Sequence, residues 1–389
     1  RPFDQQPPGE VDVNNPSPSG DIDLFVDDFK LPQVWKANLA IDQQLPFGMI
    51  GTIEALYTKT INQVSYRNVN IRPANGNLEG TPDDRPLFDR RDEIDPTYGR
   101  IILADNTSKG YAYNLTASLT KPFDNGFRGM VSYSYGDAFS VYDGTSSQNS
   151  SQWRGIYTVD GRNGFNELQR SSFSQGSRIL ANVSYTKEYG GFMASTFSII
   201  YEGQSGAPFS YIYGNGDDIQ NEDSRNRALV YIPATRDEIV LVDNGFTPDQ
   251  QWEFLDAFIE SDPYLRENRG QYAKANQNRS PFENIIDVKF LQDFYLEMPS
   301  GKRNTLQVSI DIFNFTNLLN KNWGRRYGTP QSYELLEFEG FQDNSDIPTF
   351  SFDPFNLDEP NRATYGDFKD FGLLSSRWQM QVGFRYIFN

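Results

Sequence analysis

The sequence predicts an all-β fold: a transmembrane antiparallel β-barrel wall of about eleven strands, with long loops on one side and short turns on the other. Three observations predict it. Segments in which every second residue is apolar recur along the 389-residue chain, each with a polar opposite face. The composition is hydrophilic overall yet rich in rings, with 37% hydrophobic residues, 30 Phe and 22 Tyr, and a mean hydropathy of -0.62. Short and long connections alternate, as turns and loops do on the two sides of a bacterial outer-membrane barrel. No apolar run reaches the ~20 residues a membrane helix needs, so a membrane location implies strands.

Residues 1–31 hold Pro2, Pro7, Pro8, Pro16 and Pro18 among Asp and Asn, and read as the end of an extracellular loop. Alternation then begins. Trp35, Ala37, Leu39 and Ile41 share a face against Lys36, Asn38 and Asp42; after a short turn at Pro46–Gly48, Met49, Gly51, Ile53, Ala55 and Tyr57 continue it. A polar stretch of about 65–108 separates this hairpin from a strand with Tyr111, Tyr113, Leu115, Ala117 and Leu119 on one face. Asn125-Gly126 is the dipeptide that tolerates positive φ in tight hairpins, and Phe127, Val131, Tyr133 and Tyr135 follow. Beyond a second long loop, about 142–176, Ile179, Ala181, Val183 and Tyr185 oppose Arg178, Asn182 and Ser184, then Gly190-Gly191 turns the chain into Met193, Phe197, Ile199 and Tyr201.

The longest connection, about 204–283, contains one helical pattern over Asp249–Glu260, with Trp252, Leu255, Phe258 and Ile259 at three- and four-residue spacings. Strand signals return at Ile286, Val288 and Phe290, and again, after the Pro299–Arg303 turn, at Leu306, Val308, Ile310 and Ile312. Two weaker strands, about 327–340 and 346–353, and a loop of about 354–374 precede the last strand, where Trp378, Met380, Val382, Phe384, Tyr386 and Phe388 alternate with Arg377, Gln379, Gln381 and Arg385. Eleven strands is an odd count, whereas bacterial single-chain barrels have even numbers, so residues 32–389 are expected to be part of a larger barrel.

Composition narrows the chemistry. A net charge of -17 disfavours nucleic acid as a partner, because phosphate neutralisation needs clustered Lys and Arg. Zero Cys and zero His remove thiol chemistry and the commonest general base and zinc ligand. Paired carboxylates such as Glu334 with Glu337, or Asp287 with Asp311, have no nucleophile beside them, so no catalytic residues and no cofactor are expected. The loop segment 214–226 gathers Asp217, Asp218, Asn221, Glu222 and Asp223, a candidate calcium site built on Asp217, Asp218, Asn221 and Asp223, although a solvated acidic loop is the simpler reading. Asp83, Asp84, Asp89, Asp92, Glu93 and Asp95 are interrupted by Arg85, Arg90 and Arg91, which points to mutual charge pairing on a surface loop.

In a barrel the apolar stripe faces lipid and the other face the lumen. Trp35, Tyr57, Tyr113, Tyr133, Tyr185, Tyr201, Trp378 and Tyr386 are then candidate membrane-interface aromatics. Lys36, Asp42, Arg128, Arg178, Asp287, Lys289, Asp311, Arg377 and Arg385 are candidate lumen-facing residues whose mixed signs suggest ion pairing. Trp153, Tyr157, Phe209, Tyr211 and Tyr213 are candidate ligand contacts in loops.

Several stretches carry a family resemblance. Ser309–Asn320, SIDIFNFTNLLN, followed by Trp323 and Gly324, resembles the hallmark segment near the end of TonB-dependent outer-membrane receptors. FKLPQVWKAN at 29–38, YEGQSGAPFSYIY at 201–213 and LVYIP at 229–233 resemble the Oar-like branch of that family in Bacteroidetes-type bacteria. The closing Phe384, Tyr386 and Phe388 are similar to the signal read by the barrel-assembly machinery, with Asn389 following where a final Phe is usual. The resemblance implies a 22-stranded barrel of which this chain supplies the second half, with a plug domain and a TonB box upstream of Arg1. It also implies import of a bulky nutrient, peptide or protein-derived before glycan, driven by TonB-ExbB-ExbD and assisted by a SusD-like surface lipoprotein. Two other readings are open: a structural or export-associated barrel that does not itself transport, and a secreted soluble β-sandwich adhesin.

Overall fold

The computed structural model describes residues 20–89, 93–163, 165–214, 219–222, 227–299, 301–327, 331–354 and 376–388. Nine long strands form one meander: β1 (Gln33–Leu45), β2 (Met49–Asn68), β3 (Gly110–Asp124), β4 (Phe127–Ser140), β5 (Gly176–Tyr189), β6 (Met193–Gln204), β7 (Glu283–Glu297), β8 (Arg303–Phe313) and β9 (Gln379–Ile387). Every neighbouring pair is antiparallel. Among the described residues the sheet is open, with β1 paired only to β2 and β9 only to β8.

The registers preserve the alternation across the whole wall. Ile41 lies opposite Ile53, Ile53 opposite Ala117, Ala117 opposite Tyr133, and Tyr133 opposite Ile179. Further along, Val183 meets Ile199, Ile199 meets Val288, Val288 meets Ile312 and Ile312 meets Met380. A slip of one residue in any pair would break this single apolar face, so the pattern itself fixes the register. The short turns support it. Asn125 and Gly126 have φ of 50° and 81°, the mirror-image turn geometry that matches strand twist, and a Cβ on Gly126 would collide with the Thr186 carbonyl oxygen.

The long connections are not loose. Strands Asn278–Arg279, Pro208–Gly214, Ser332–Phe341 and Pro348–Ser351 form a second sheet, and helix α2 (Pro248–Ser261) packs Leu255, Phe258 and Ile259 into a shared core with Phe209, Tyr211, Val230, Leu336 and Phe352. A capping box starts α2, with the Thr247 side chain accepting from Gln250 N and the Gln250 side chain accepting from Thr247 N. A smaller core gathers Tyr66, Ile102, Ala104, Val141, Tyr142 and Trp153, the last from helix α1 (Asn149–Arg154). The loops thus build a roof with its own interior.

This corrects the sequence reading in two places. The strands expected near 327–340 and 346–353 exist as Ser332–Phe341 and Pro348–Ser351, but they belong to the roof sheet, leaving nine of the eleven in the wall. Alternation reports a half-buried strand and not the sheet it joins. The stretch 65–108 is not all loop either: β2 runs on to Asn68, and Ile101–Thr107 pairs back onto its end.

Candidate functional site: the wall and its roof

Side chains on the apolar face of the wall have little protein cover. Leu39 is 68% exposed, Ile53 67%, Val183 44% and Phe384 76%. Among the described residues these side chains stand exposed instead of packing into a shared dry interior. The expected interface aromatics lie on this face. Trp35, Tyr57, Tyr113, Tyr133, Tyr201 and Trp378 sit toward the loop end, Tyr185 and Tyr386 toward the turn end beside Phe127 and Phe388, and aliphatic residues occupy most of the space between. From Trp378 to Tyr386 the strand covers about 26 Å at ~3.3 Å per residue. With the usual strand tilt the vertical span is about 20 Å, close to the apolar band of such barrels.

The opposite face is polar and internally paired. Arg178 meets Glu202 at 2.6 Å and Lys289 meets Asp311 at 2.8 Å. Thr52 donates to Asp42, Gln307 to Asp293, and Asp287 accepts the Asn314 N–H. Lys36 and Arg128 are exposed opposite Thr58 and Ser184, Arg385 lies opposite Gln307, and Arg377 is exposed at the loop-side entry to β9. The pattern described as an outer membrane beta barrel domain matches residues 1–332.

The chain belongs to the outer membrane β-barrel domain family. That places it in the bacterial outer membrane. No curated protein and no solved structure matches it.

The roof of this outer-membrane barrel domain corrects the expected ligand contacts. Trp153, Tyr157, Phe209, Tyr211 and Tyr213 are all buried, at 0%, 8%, 1%, 4% and 4% exposure, and they pack the roof cores instead of presenting a capture surface. Aromatic residues in a long loop carry the same sequence signal whether they face solvent or a core formed between loops. Of the expected calcium ligands, Asp217, Asp218 and Asp223 lie outside the described residues, and Asn221 takes a turn conformation at φ 60°. Neighbouring Glu222 is fully engaged elsewhere: its carboxylate accepts from Arg162 N, Asn163 N and the Arg162 guanidinium at 3.0 Å, with both side chains at 0% exposure.

A second buried pair joins Arg85 to Asp83 at 2.7 Å, with Arg85 also donating to the Leu229 carbonyl and lying over the rings of Tyr213 and Tyr272. This is the charge pairing expected for the 83–95 stretch, but it is buried in the roof and not on the surface. Burial alone would weaken the Arg85 charge, and Asp83 beside it more than restores it, holding the guanidinium above its usual range. Burial, then the Asp83 charge, pushes the Tyr213 hydroxyl well above the ordinary tyrosine range. Sequence reasoning did not single out either pair as roof locks. Arg162 and Glu222 are 60 residues apart, so nothing local marks that pair; Arg85 and Asp83 are near neighbours whose pairing was expected, and what the sequence does not mark is their burial and the Arg85 bond to the Leu229 carbonyl 144 residues away.

Proposed function

We propose that this chain is the second half of a TonB-dependent importer barrel for a bulky nutrient, with peptide or protein-derived cargo favoured over glycan. The supporting observation is architectural: a membrane wall whose long connections fold into a cored roof at one end only. Such a roof can hold a large ligand against the mouth of a wide lumen, whereas a small pore needs no structure of that size. In this reading the apolar face meets outer-membrane lipid and the roof is extracellular. The polar face lines a lumen filled by a plug carried elsewhere in the protein. TonB-ExbB-ExbD supplies the energy, a SusD-like lipoprotein is a candidate surface partner, and the barrel-assembly machinery reads Phe384, Tyr386 and Phe388.

Growth of the host on peptide as sole nitrogen source tests this. Deletion of the gene is expected to abolish it, and removal of TonB is expected to have the same effect. Loss of growth on deletion but not on removal of TonB would overturn the reading. One observation favours the second reading, a structural or export-associated barrel: the loop aromatics that would capture cargo are packed inside the roof. An unimpaired deletion strain with missing surface proteins would establish that role instead.

A further inference from the structure

The polar face of the wall carries an apolar hollow of about 180 Å³ at its loop end. Three strands in register make the floor. Leu56 of β2 lies opposite Asn114 of β3, and Asn114 opposite Gly136 of β4; one step nearer the roof, Thr58, Ala112 and Ala138 repeat the row. Leu56 and Thr58 continue the alternation of Thr52 along β2, so the hollow faces the lumen and not the lipid. Small side chains give it depth, and a Cβ on Gly136 would come within 2.8 Å of the Asn114 Nδ2. Phe173 borders this floor with 68% of its surface exposed. The corner that carries it is held fast: the Ser171 N–H donates to the Ala138 carbonyl at 2.8 Å, the Phe173 N–H to the Ser171 hydroxyl, and the Ser172 N–H and hydroxyl both to Asp143. On its other side Gln175 donates to Ser134 and accepts from Asn114.

A ring fixed in water beside apolar surface offers area to a guest without any reordering on binding. Size, charge and position define that guest. An apolar cavity of about 150 Å³ holds a benzene ring, so this hollow suits a single bulky side chain. The charged side chains around it are engaged with one another: Glu54 accepts from Asn38, Arg178 meets Glu202 at 2.6 Å, and Asp137 meets Arg170 at 3.0 Å. The polar groups at the rim are neutral, namely the amides of Asn114 and Gln175 and the Thr58 hydroxyl. Such groups match the N–H and C=O of an extended peptide and give a charged ligand no counter-ion. The side of the wall on which the hollow lies excludes an acyl chain as its occupant.

We propose that this hollow docks one aromatic or leucine-sized side chain of a peptide segment that enters the lumen from the roof side, with Phe173 packing against it. The inference rests on the reading of the barrel as a peptide importer, and it names the feature of the cargo that the mouth recognises.

The test measures fluorescence anisotropy of two fluorescein-labelled Gly-Ser nonapeptides, one with a central Phe and its twin with Ser there, on the complete membrane protein in nanodiscs. Wild type is expected to bind the Phe peptide roughly tenfold more tightly, in line with burial of one large apolar side chain. Phe173→Ser, at an exposed position that folding does not need, is expected to erase that preference, and Ala138→Phe, which fills the hollow, to do the same. Exposed Lys302→Gln, at the opposite end of the wall, is expected to change nothing. Equal binding of the two peptides by wild type, or an undiminished preference in Phe173→Ser, would overturn the proposal. Occupation of the hollow by a segment of the protein itself would appear as the first of these, together with a lower melting temperature for Phe173→Ser. Growth on peptide judges the importer reading separately: a binding preference with unimpaired growth of the deletion strain keeps the site and removes transport, whereas transport without the preference removes the site alone.

Discussion

Glu222 illustrates how much a single side chain holds in the roof, since it ties two backbone N–H groups and one guanidinium together without any contact with water. Replacing it by Gln leaves the Arg162 charge buried without its partner, and the expected cost is about 3–5 kcal/mol. Denaturant unfolding followed by Trp fluorescence measures this, because Arg162 stands 5.9 Å from the Trp153 ring. Asp262 gives a pH signature of the opposite sign to a typical carboxylate. Burial raises its pKa from the ordinary 3.8 despite four donors, so the folded state binds the proton more tightly than the unfolded chain. Its contribution to stability is therefore greatest at acid pH and is lost as pH rises from near 3.8 through the raised value. Asp262→Asn keeps the cap on the short helix Pro263–Glu267, and is expected to flatten that part of the stability–pH profile in thermal melts. Neither residue was legible in the sequence as anything more than an acid in a loop, because what matters is the set of distant donors that folding brings to it.

Period-two alternation located all nine wall strands, since a strand facing two different media must alternate along its length. It was silent on which sheet an alternating segment joins, which is why Ser332–Phe341, with Tyr333, Leu335 and Phe338 buried, read as wall and folded as roof. The α2 helix was legible because its apolar spacing is helical; the Thr247 capping box that starts it is seen in the structure. Thr247→Ala is expected to cost about 1 kcal/mol of roof stability, against about 2–5 kcal/mol for Leu255→Ala in the core; denaturant midpoints separate the two. In the wall the two faces differ in kind. Val183→Arg at mid-strand on the apolar side is expected to destabilise the folded protein in lipid by about 2–4 kcal/mol, while Asn182→Arg one residue before it, on the polar side opposite Met130, is tolerated. Equal penalties in a folding titration into vesicles would contradict the assignment of faces.

For the molecule as a whole, the roof at one end and tight turns at the other set an orientation that labelling can read directly. The chain has no Cys, so single introduced thiols give no background. In intact cells Glu260→Cys in the roof is expected to react with a membrane-impermeant maleimide, and Lys302→Cys at the β7–β8 turn only after lysis. The reverse pattern would invert the topology. The lateral rims of the sheet carry a further demand. Among the described residues, alternate amide and carbonyl groups on β1 and β9 point sideways with no neighbouring strand to receive them, and oil offers such groups nothing in exchange for water. Insertion therefore has to wait until both rims are paired, which makes seam closure the step that commits this protein to the bilayer.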